Sequence, residues 1–133
     1  MFLSVITGAS DGIGAEYAKE LGSRGFNLLL ISRTASKLEN VASKIRANNS
    51  TIQIQTIAMD FVKEPIDDNF STIEKALEPL QPIGILVNNV AMNYNYPQLF
   101  HSTPIEGDEK IVHTNISVTN RMTKLILPRM IQK

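Results

Sequence analysis

The chain has 133 residues, with 13 Lys and Arg against 13 Asp and Glu, so its formal net charge is zero. This balance lacks the basic stripe that nucleic acids and anionic membranes attract, so we expect no nucleic-acid partner. The sequence contains no cysteine, which excludes a disulfide scaffold, a thiol nucleophile and Cys-ligated metal within it, and we expect no metal site. A hydrophobic fraction of 43% fits one globular domain over residues 1–133.

The first forty-odd residues alternate between strand-like and helix-like patterns. The short apolar run at residues 3–7 predicts a buried strand. A helix is predicted next. Gly25 stands where a residue in the left-handed conformation would end that helix. Its predicted apolar face consists of Ile13, Tyr17, Ala18 and Leu21. Residues 26–32 then predict a second strand, buried on both faces as in a parallel sheet covered by helices.

A capping box, Ser36 with Glu39, predicts the start of a second helix that ends at Asn48-Asn49. Its predicted apolar face is Leu38, Val41, Ala42 and Ile45. The alternation then continues with a strand at 51–59, a helix marked by Phe70, Ile73 and Leu77, and a strand at 83–87. After a loop at 93–104, residues 109–130 predict a fourth helix with an apolar face of Val112, Ile116, Thr119 and Leu127.

Four strands alternating with helices predict an α/β fold with a parallel sheet and right-handed crossovers. The expected strand order is 3-2-1-4, with helices on both faces of the sheet. No run of apolar residues approaches the roughly 18 to 20 needed to span a bilayer, so no membrane segment is predicted in this chain.

Residues 7–14 read Thr-Gly-Ala-Ser-Asp-Gly-Ile-Gly, a glycine-rich turn between the first strand and the first helix. We expect Gly8 to allow the tight turn, and Gly12 and Gly14 to let the backbone approach a pyrophosphate at the helix N-terminus. Ser10 could donate a hydroxyl to a phosphate, and the intervening Asp11 and Ile13 are included in the predicted cofactor site. The alternative is a structural turn that happens to be rich in glycine.

The residues after the second strand indicate which nicotinamide cofactor is preferred. A carboxylate at this place would accept hydrogen bonds from a ribose 2′-hydroxyl and repel a phosphate. Here the pair is Ser32-Arg33, and a guanidinium offers several fixed donors and a permanent charge to a 2′-phosphate. The cofactor expected is NADP, unless Arg33 is only a solvated loop residue.

Four spaced motifs resemble the short-chain dehydrogenase/reductase family: the turn at 7–14, Asp60 after the third strand, Asn-Asn-Val-Ala at 88–91, and Asn115 in the fourth helix. The resemblance implies a Rossmann-like fold and hydride transfer between a nicotinamide cofactor and a carbonyl or alcohol. It covers the whole chain but corresponds to the N-terminal half of a family domain.

This resemblance also implies roles for individual residues. Asp60 would receive the adenine amino group, unless it is only a loop aspartate, and Phe61 would help wall the adenine pocket. Asn88 would lie near the cofactor's ribose, and Asn89 would bridge backbone groups of the central strands. The family motif usually ends in glycine where this chain has Ala91, whose methyl group either crowds the nicotinamide side or is absorbed.

Asn115 resembles the helix asparagine that holds a water of the family's proton relay. It could instead only cap local backbone groups. It is the one member of the family's catalytic set found here: the Tyr-x-x-x-Lys pair is absent, because Tyr17, Tyr94 and Tyr96 are each followed four residues on by an uncharged residue. His101 and His113 have no metal-ligand spacing and are expected in surface or loop positions.

A narrower resemblance, carried by residues 6–14, 25–34, 36–38 and 86–90, is to the very-long-chain 3-oxoacyl-CoA reductase and steroid 17-beta dehydrogenase subfamily. It implies an NADPH-dependent oxidoreductase that reduces a 3-oxoacyl-CoA in fatty-acid elongation at the endoplasmic reticulum membrane, or a ketosteroid. Members carry a hydrophobic anchor before the first strand, where this chain begins, so the chain alone is expected in the cytoplasm.

A second hypothesis is a non-catalytic nucleotide-binding or interaction module from a truncated gene. Under either hypothesis the fourth strand would lack a neighbour on one side, because family domains continue the sheet there. We therefore expect self-association through the edge of that strand and the fourth helix.

We predict that the purified 133-residue chain does not reduce 3-oxoacyl-CoA thioesters or ketosteroids. A tyrosine beside a cation would normally protonate the carbonyl oxygen, and no such pair is present. The test is NADPH oxidation against a blank without substrate, and turnover above that blank would contradict the prediction.

Overall fold

A computed structural model describes residues 1–63, 66–78 and 82–132. The strands are β1 Leu3–Thr7, β2 Asn27–Ser32, β3 Ile54–Ala58 and β4 Ile83–Val87. The helices are α1 Gly12–Ser23, α2 Ala35–Asn48, α3 Ile66–Leu77, α4 Ile105–Val112 and α5 Val118–Ile131. A π-helical turn, His113–Ser117, joins α4 to α5, and a 3-10 turn, Phe100–Ser102, precedes them.

The four strands form one parallel sheet in the order β3-β2-β1-β4, which confirms the predicted order and the Rossmann-like architecture. Val5 at the centre of β1 is in register with Leu29 of β2 and with Leu86 of β4. Because the chain builds outward from β1 to β3 and then crosses back to β4, the ends of β1 and β4 lie at a switch point of the topology.

Hydrophobic clusters cover both faces of the sheet, as predicted. On one face α3 and α5 pack on β1 and β2, and on the other α1 and α2 pack on the same two strands. Leu29, Leu30 and Ile31 of β2 have no exposed surface. A strand enclosed on both sides reads as a continuous apolar run rather than an alternating one, which is why β2 is so evident in the sequence.

The end of α1 forms as its sequence predicts. Gly25 has a φ of 86°, in the left-handed region that favours glycine. The amide of Phe26 donates to the carbonyl of Leu21 at 3.1 Å, and the Gly25 amide donates to the carbonyl of Gly22 at 3.1 Å. These two bonds satisfy carbonyls that the helix end would leave open.

The apolar face predicted for α1 is partly wrong. Ile13 is 70% exposed and Tyr17 is 49% exposed, whereas the buried residues of the helix are Gly14, Ala15, Ala18, Leu21 and Gly22. Small side chains let α1 approach the sheet closely. The face that packs therefore carries little hydrophobic bulk, and the larger residues lie beside it.

The predicted capping box of α2 is also wrong. The helix begins at Ala35, with Thr34 as its cap residue and no side-chain capping bond. Ser36 is already inside the helix, and the Glu39 carboxylate instead accepts a hydrogen bond from Arg46 Nη1 at 2.6 Å. The apolar face predicted for this helix is buried, as expected.

The fourth helix predicted at 109–130 is longer and is interrupted. It runs from Ile105 to Ile131 through the π turn, and the residues that pack on the sheet are Val118, Met122 and Ile126. The predicted apolar face is wrong: Val112, Ile116 and Leu127 are 52%, 60% and 49% exposed. A π turn inserts one extra residue, so a face extrapolated through it at ordinary helical spacing falls out of phase.

Across the described ranges, no helix combines the length and apolarity that crossing a bilayer requires.

The hydroxyl of Thr7 joins the ends of the two central strands. It accepts hydrogen bonds from the amides of Asn89 at 3.0 Å and Val90 at 3.1 Å, and lies 3.4 Å from the carbonyl of Val87. Thr7 is fully buried. Since β4 ends at Val87, this one side chain supplies acceptors for amides that no strand partner reaches.

We predict that Thr7→Val lowers the free energy of unfolding by about 1–3 kcal/mol, because it leaves two partly buried amides without an acceptor. Thr7→Ser is the control, since it keeps the hydroxyl and loses only a methyl group, worth about 0.8 kcal/mol. Urea denaturation measures both. Equal costs for the two variants would contradict the role given to the hydroxyl.

Candidate functional site

A cleft of about 550 Å³ opens at the carboxyl ends of the strands. This is where parallel α/β sheets bind ligands. Eight of the predicted cofactor residues line it: Gly8, Ser10, Asp11, Ser32, Arg33, Asp60, Phe61 and Ala91. It is also lined by residues that the sequence did not single out, among them Lys37, Met92, Asn93, Asn95 and Thr114.

A second concavity, of about 510 Å³, lies between the C-terminal ends of α1 and α2, beside Lys19 and Asn49. Helix C-termini carry partial negative charge, and the Asn49 amide already donates to the carbonyl of Gly22 at 3.0 Å. The strand-end cleft is the better candidate site, because it combines two cations, Arg33 and Lys37, with the carboxyl ends of the strands.

The glycines of the turn serve different purposes. Gly8 and Gly12 have φ values of 64° and 51°, and a side chain on Gly12 would meet open space, so Gly12 leaves the turn accessible to a ligand. A Cβ on Gly14 would collide with the carbonyl oxygen of Gly8 and lie 2.6 Å from Asn89 Nδ2. Gly14 is thus required for close packing of α1 on the strand ends, and its role in approaching a pyrophosphate stays a prediction.

Two side chains fix the start of α1 and its relation to β2. Asp11 caps the helix, its carboxylate accepting from the Gly12 amide at 2.8 Å. The hydroxyls of Ser10 and Ser32 lie 2.7 Å apart, so one donates to the other and the turn is tied to the end of β2. Ser10 therefore lies at the cleft, and its hydroxyl already has a protein partner.

Arg33 is the most available cation of the cleft. It is exposed, and no hydrogen bond or ion pair engages it within the ranges that the structure describes. Lys37, one helical turn further on, lies 3.7 Å from the Asp11 carboxylate, with both side chains largely exposed. An anion in the cleft would therefore meet Arg33 directly, while Lys37 is shared with Asp11.

Asp60 and Phe61 follow β3 at the floor of the cleft. One Asp60 carboxylate oxygen accepts from the Val62 amide at 3.0 Å. Phe61 is 3% exposed and its ring packs against Phe70 at 6.1 Å between centroids, so it belongs mainly to the core and offers an adenine little surface. His113 corrects another prediction: it is half-buried and its Nε2 donates to the Phe61 carbonyl at 2.9 Å, whereas His101 is exposed.

The two asparagines after β4 point in different directions. The Asn89 amide donates to the carbonyl of Gly8 at 3.0 Å, in line with its predicted bridging role. Asn88 is exposed, donates to the Thr123 hydroxyl of α5 at 3.1 Å, and does not line the cleft. This arrangement does not support the predicted contact of Asn88 with a ribose. Ile13 likewise faces solvent rather than the cleft.

Asn115 lies in the π turn and clamps the segment after β4. Its Oδ1 accepts from the Met92 amide at 2.7 Å, and its Nδ2 donates to the Met92 carbonyl at 2.9 Å. Both ends of the side chain are engaged with one backbone residue, which corresponds to the capping alternative. The relay role stays a prediction. In this structure the Asn115 side chain holds the backbone of Met92 in place.

Tyr94 docks on the first turn of α4. Its hydroxyl donates to the Asp108 carboxylate at 2.7 Å, and its ring lies over Gly107, where a Cβ would collide with it. Burial and the bond to Asp108 raise the pKa of Tyr94 above its ordinary value. A tyrosine that acts as a general acid or base needs the opposite shift, so this arrangement does not suit Tyr94 to acid–base chemistry.

Comparison with known proteins identifies the family. The short chain dehydrogenase family matches residues 3–133, and the chain belongs to it. It is 42% identical over 132 residues to the very-long-chain 3-oxoacyl-CoA reductase of Homo sapiens, covering 98% of this chain and 41% of the relative. It is 44% identical over 129 residues to very-long-chain 3-oxoacyl-CoA reductase-A of Danio rerio, covering 96% and 39%.

Solved structures agree with this assignment. A short-chain dehydrogenase from Sphingobium yanoikuyae in complex with NADPH matches with a TM-score of 0.84 and 30% identity, over 99% of this chain and 49% of that chain. An alcohol dehydrogenase from Thermococcus sibiricus, complexed with 5-hydroxy-NADP, gives 0.83 and 26%, over 98% and 53%. The chain thus spans about half of these structures and about two fifths of the curated relatives.

We predict that Tyr94 ionises above the ordinary tyrosine pKa of about 10. The sequence has three tyrosines and no tryptophan, so the difference between the near-ultraviolet titrations of wild type and Tyr94→Phe isolates its phenolate. The stability linked to this group is present below the ordinary pKa and is lost as pH rises through the raised pKa. A difference curve centred at or below the ordinary value would contradict the bond to Asp108.

Proposed function

We propose that residues 1–133 form the NADP-binding domain of an NADPH-dependent short-chain oxidoreductase. The observation that carries this proposal is the unpartnered Arg33 at the end of β2, in the cleft that also contains the glycine turn. When bound, NADPH supplies a hydride to a carbonyl group. Two of the structures that this fold resembles contain an NADP-type cofactor.

The residues of the cleft fit the parts of the dinucleotide. Gly12, with open space beside it, and the N-terminus of α1 suit the pyrophosphate, because helix N-termini favour anions. The guanidinium of Arg33 suits a 2′-phosphate, which it can bind with paired donors. One carboxylate oxygen of Asp60 accepts from the Val62 amide, and we propose that the other accepts from the adenine amino group.

The substrate is proposed from the relatives. Proteins named very-long-chain 3-oxoacyl-CoA reductase are 38–44% identical to this chain over nearly its whole length. We therefore infer a 3-oxoacyl-CoA as the substrate of the whole protein, with a ketosteroid as the second candidate, and the endoplasmic reticulum membrane as its place of action. Asn115 is the one residue of the family's catalytic set in this chain, and its proposed part there is to hold the relay water.

The alternative is a non-catalytic nucleotide-binding or interaction module. In the described ranges β4 pairs with β1 alone, and self-association through its free edge and the α4–α5 unit belongs to this alternative.

We expect Arg33→Ala to weaken NADPH binding by about 10- to 100-fold, because hydrogen bonds to a charged group contribute about 1.5–3 kcal/mol. NADH binding should be unchanged, since NADH lacks the 2′-phosphate. The measurement is nucleotide fluorescence on titration with protein.

Arg24→Ala is the matched control, because Arg24 is an exposed arginine paired with Glu20 at 2.7 Å, remote from the cleft lining. Equal losses for NADPH and NADH with Arg33→Ala would reject the phosphate role. No binding of either nucleotide to the wild-type chain would reject the proposed function of this domain.

A further inference from the structure

One wall of the cleft is the loop segment after β4, residues 92–95. Met92, Asn93 and Asn95 line the cleft, and Tyr94 does not. Tyr94 is therefore directed away from the cleft that its neighbours on both sides line. The side-chain oxygen of Asn93 accepts from the Tyr94 amide at 2.8 Å, so Asn93 has its side-chain N–H donors to offer. The Asn95 side chain offers a donor and an acceptor of the kind that sugar hydroxyls and carboxamides need.

The Tyr94 side chain is held in a seat formed by Thr103, Gly107 and Asp108. Besides the 2.7 Å bond from the Tyr94 hydroxyl, the Asp108 carboxylate lies 3.1 Å from the Thr103 hydroxyl through its other oxygen. A Cβ on Gly107 would come within 2.9 Å of Tyr94 Cε1 and closer still to its hydroxyl. Only glycine leaves room for the ring, although glycine is a poor helix former.

The same segment is held at its other end by Asn115, through two bonds to the backbone of Met92. Both attachment points belong to the continuous helical unit formed by α4 and the π turn. Asn93 thus lies between Met92 and Tyr94, both of which are held by hydrogen bonds. Asn95 directly follows Tyr94. The seat of Tyr94 therefore decides whether this wall of the cleft has a fixed shape.

We propose that Tyr94 is a positioning residue of the cofactor site: seated over Gly107 and bonded to Asp108, it holds Asn93 and Asn95 in place to contact the bound dinucleotide. Tyr94 itself does not touch the ligand. The proposal rests on the proposed function, because it names a device that shapes the NADPH cleft. A wall fixed in advance spares the ligand the cost of ordering it.

The test compares three single variants of the full chain. Tyr94→Phe removes the hydroxyl and keeps the ring, while Gly107→Ala keeps every bonding group and blocks the seat. Tyr96→Phe is the matched control, because Tyr96 is an exposed tyrosine of the same loop with no hydrogen bond in the described part of the chain. NADPH and NADH binding are measured by fluorescence, and hydrogen exchange is followed at the backbone amides of Met92 and Tyr94, which donate to the side chains of Asn115 and Asn93 at 2.7 and 2.8 Å.

We expect Tyr94→Phe to weaken binding by roughly 3- to 10-fold, the loss that one hydrogen bond accounts for, and Gly107→Ala to weaken it by at least as much. The factor should be the same for NADPH and NADH, unlike that for Arg33→Ala, because the wall is expected to contact parts that both nucleotides share. Exchange at the Met92 and Tyr94 amides should accelerate, and Tyr96→Phe should match wild type.

A double-mutant cycle separates the seat from a general effect of alanine on α4. In a Tyr94→Ala background the ring is gone, so Gly107→Ala should cost no further affinity. If the single variants bind both nucleotides like wild type, the proposal is wrong while the proposed function stands. If wild type binds neither nucleotide, the proposed function itself fails.

Discussion

The site depends on one junction, where the ends of β1 and β4 are joined through the Thr7 hydroxyl and the Asn89 side chain. Parallel strands stop abruptly at their carboxyl ends and leave amides and carbonyls without partners. Here Thr7 accepts from the two amides that follow β4, and Asn89 donates to the carbonyl of Gly8. A side chain on Gly14 would collide with the Gly8 carbonyl and the Asn89 side chain, so the turn, α1 and β4 pack closely at this junction.

That junction sets the chemistry of the cleft. It holds the glycine turn beside the ends of β2 and β3, so that Gly8, Arg33 and Asp60 line the same cleft. The net charge of the chain is zero, yet the cleft contains the Arg33 guanidinium, which has no ion-pair partner among the described residues and which we propose as the binding group for a 2′-phosphate. The positive charge that favours an anion is therefore local to the cleft, and the zero net charge of the chain does not reveal it. Across the cleft lining, the segment fastened through Asn115 and Tyr94 supplies neutral amides rather than charge.

The strand order, the buried β2 and the glycine turn could be predicted from the sequence, because each depends on local pattern: apolar runs, period and positive φ. Helix faces were less predictable. In α1, close approach to the sheet buries Gly14 and Ala18 and leaves Tyr17 outside; beyond Val112, the π turn rotates every later residue out of phase. Thr7 and Tyr94 were missed for another reason: their partners lie in other elements, at contacts that no spacing along the chain reveals.

The most direct test of the central claim is to map nucleotide binding residue by residue, by amide chemical shifts during titration of the chain with NADPH. The account predicts that shifts concentrate at Gly8, Gly12, Arg33, Asp60 and the segment 92–95. Titration with NADH should give the same pattern with a much smaller change at Arg33. Shifts confined to the groove between α1 and α2, or no shifts at saturating NADPH, would contradict the account.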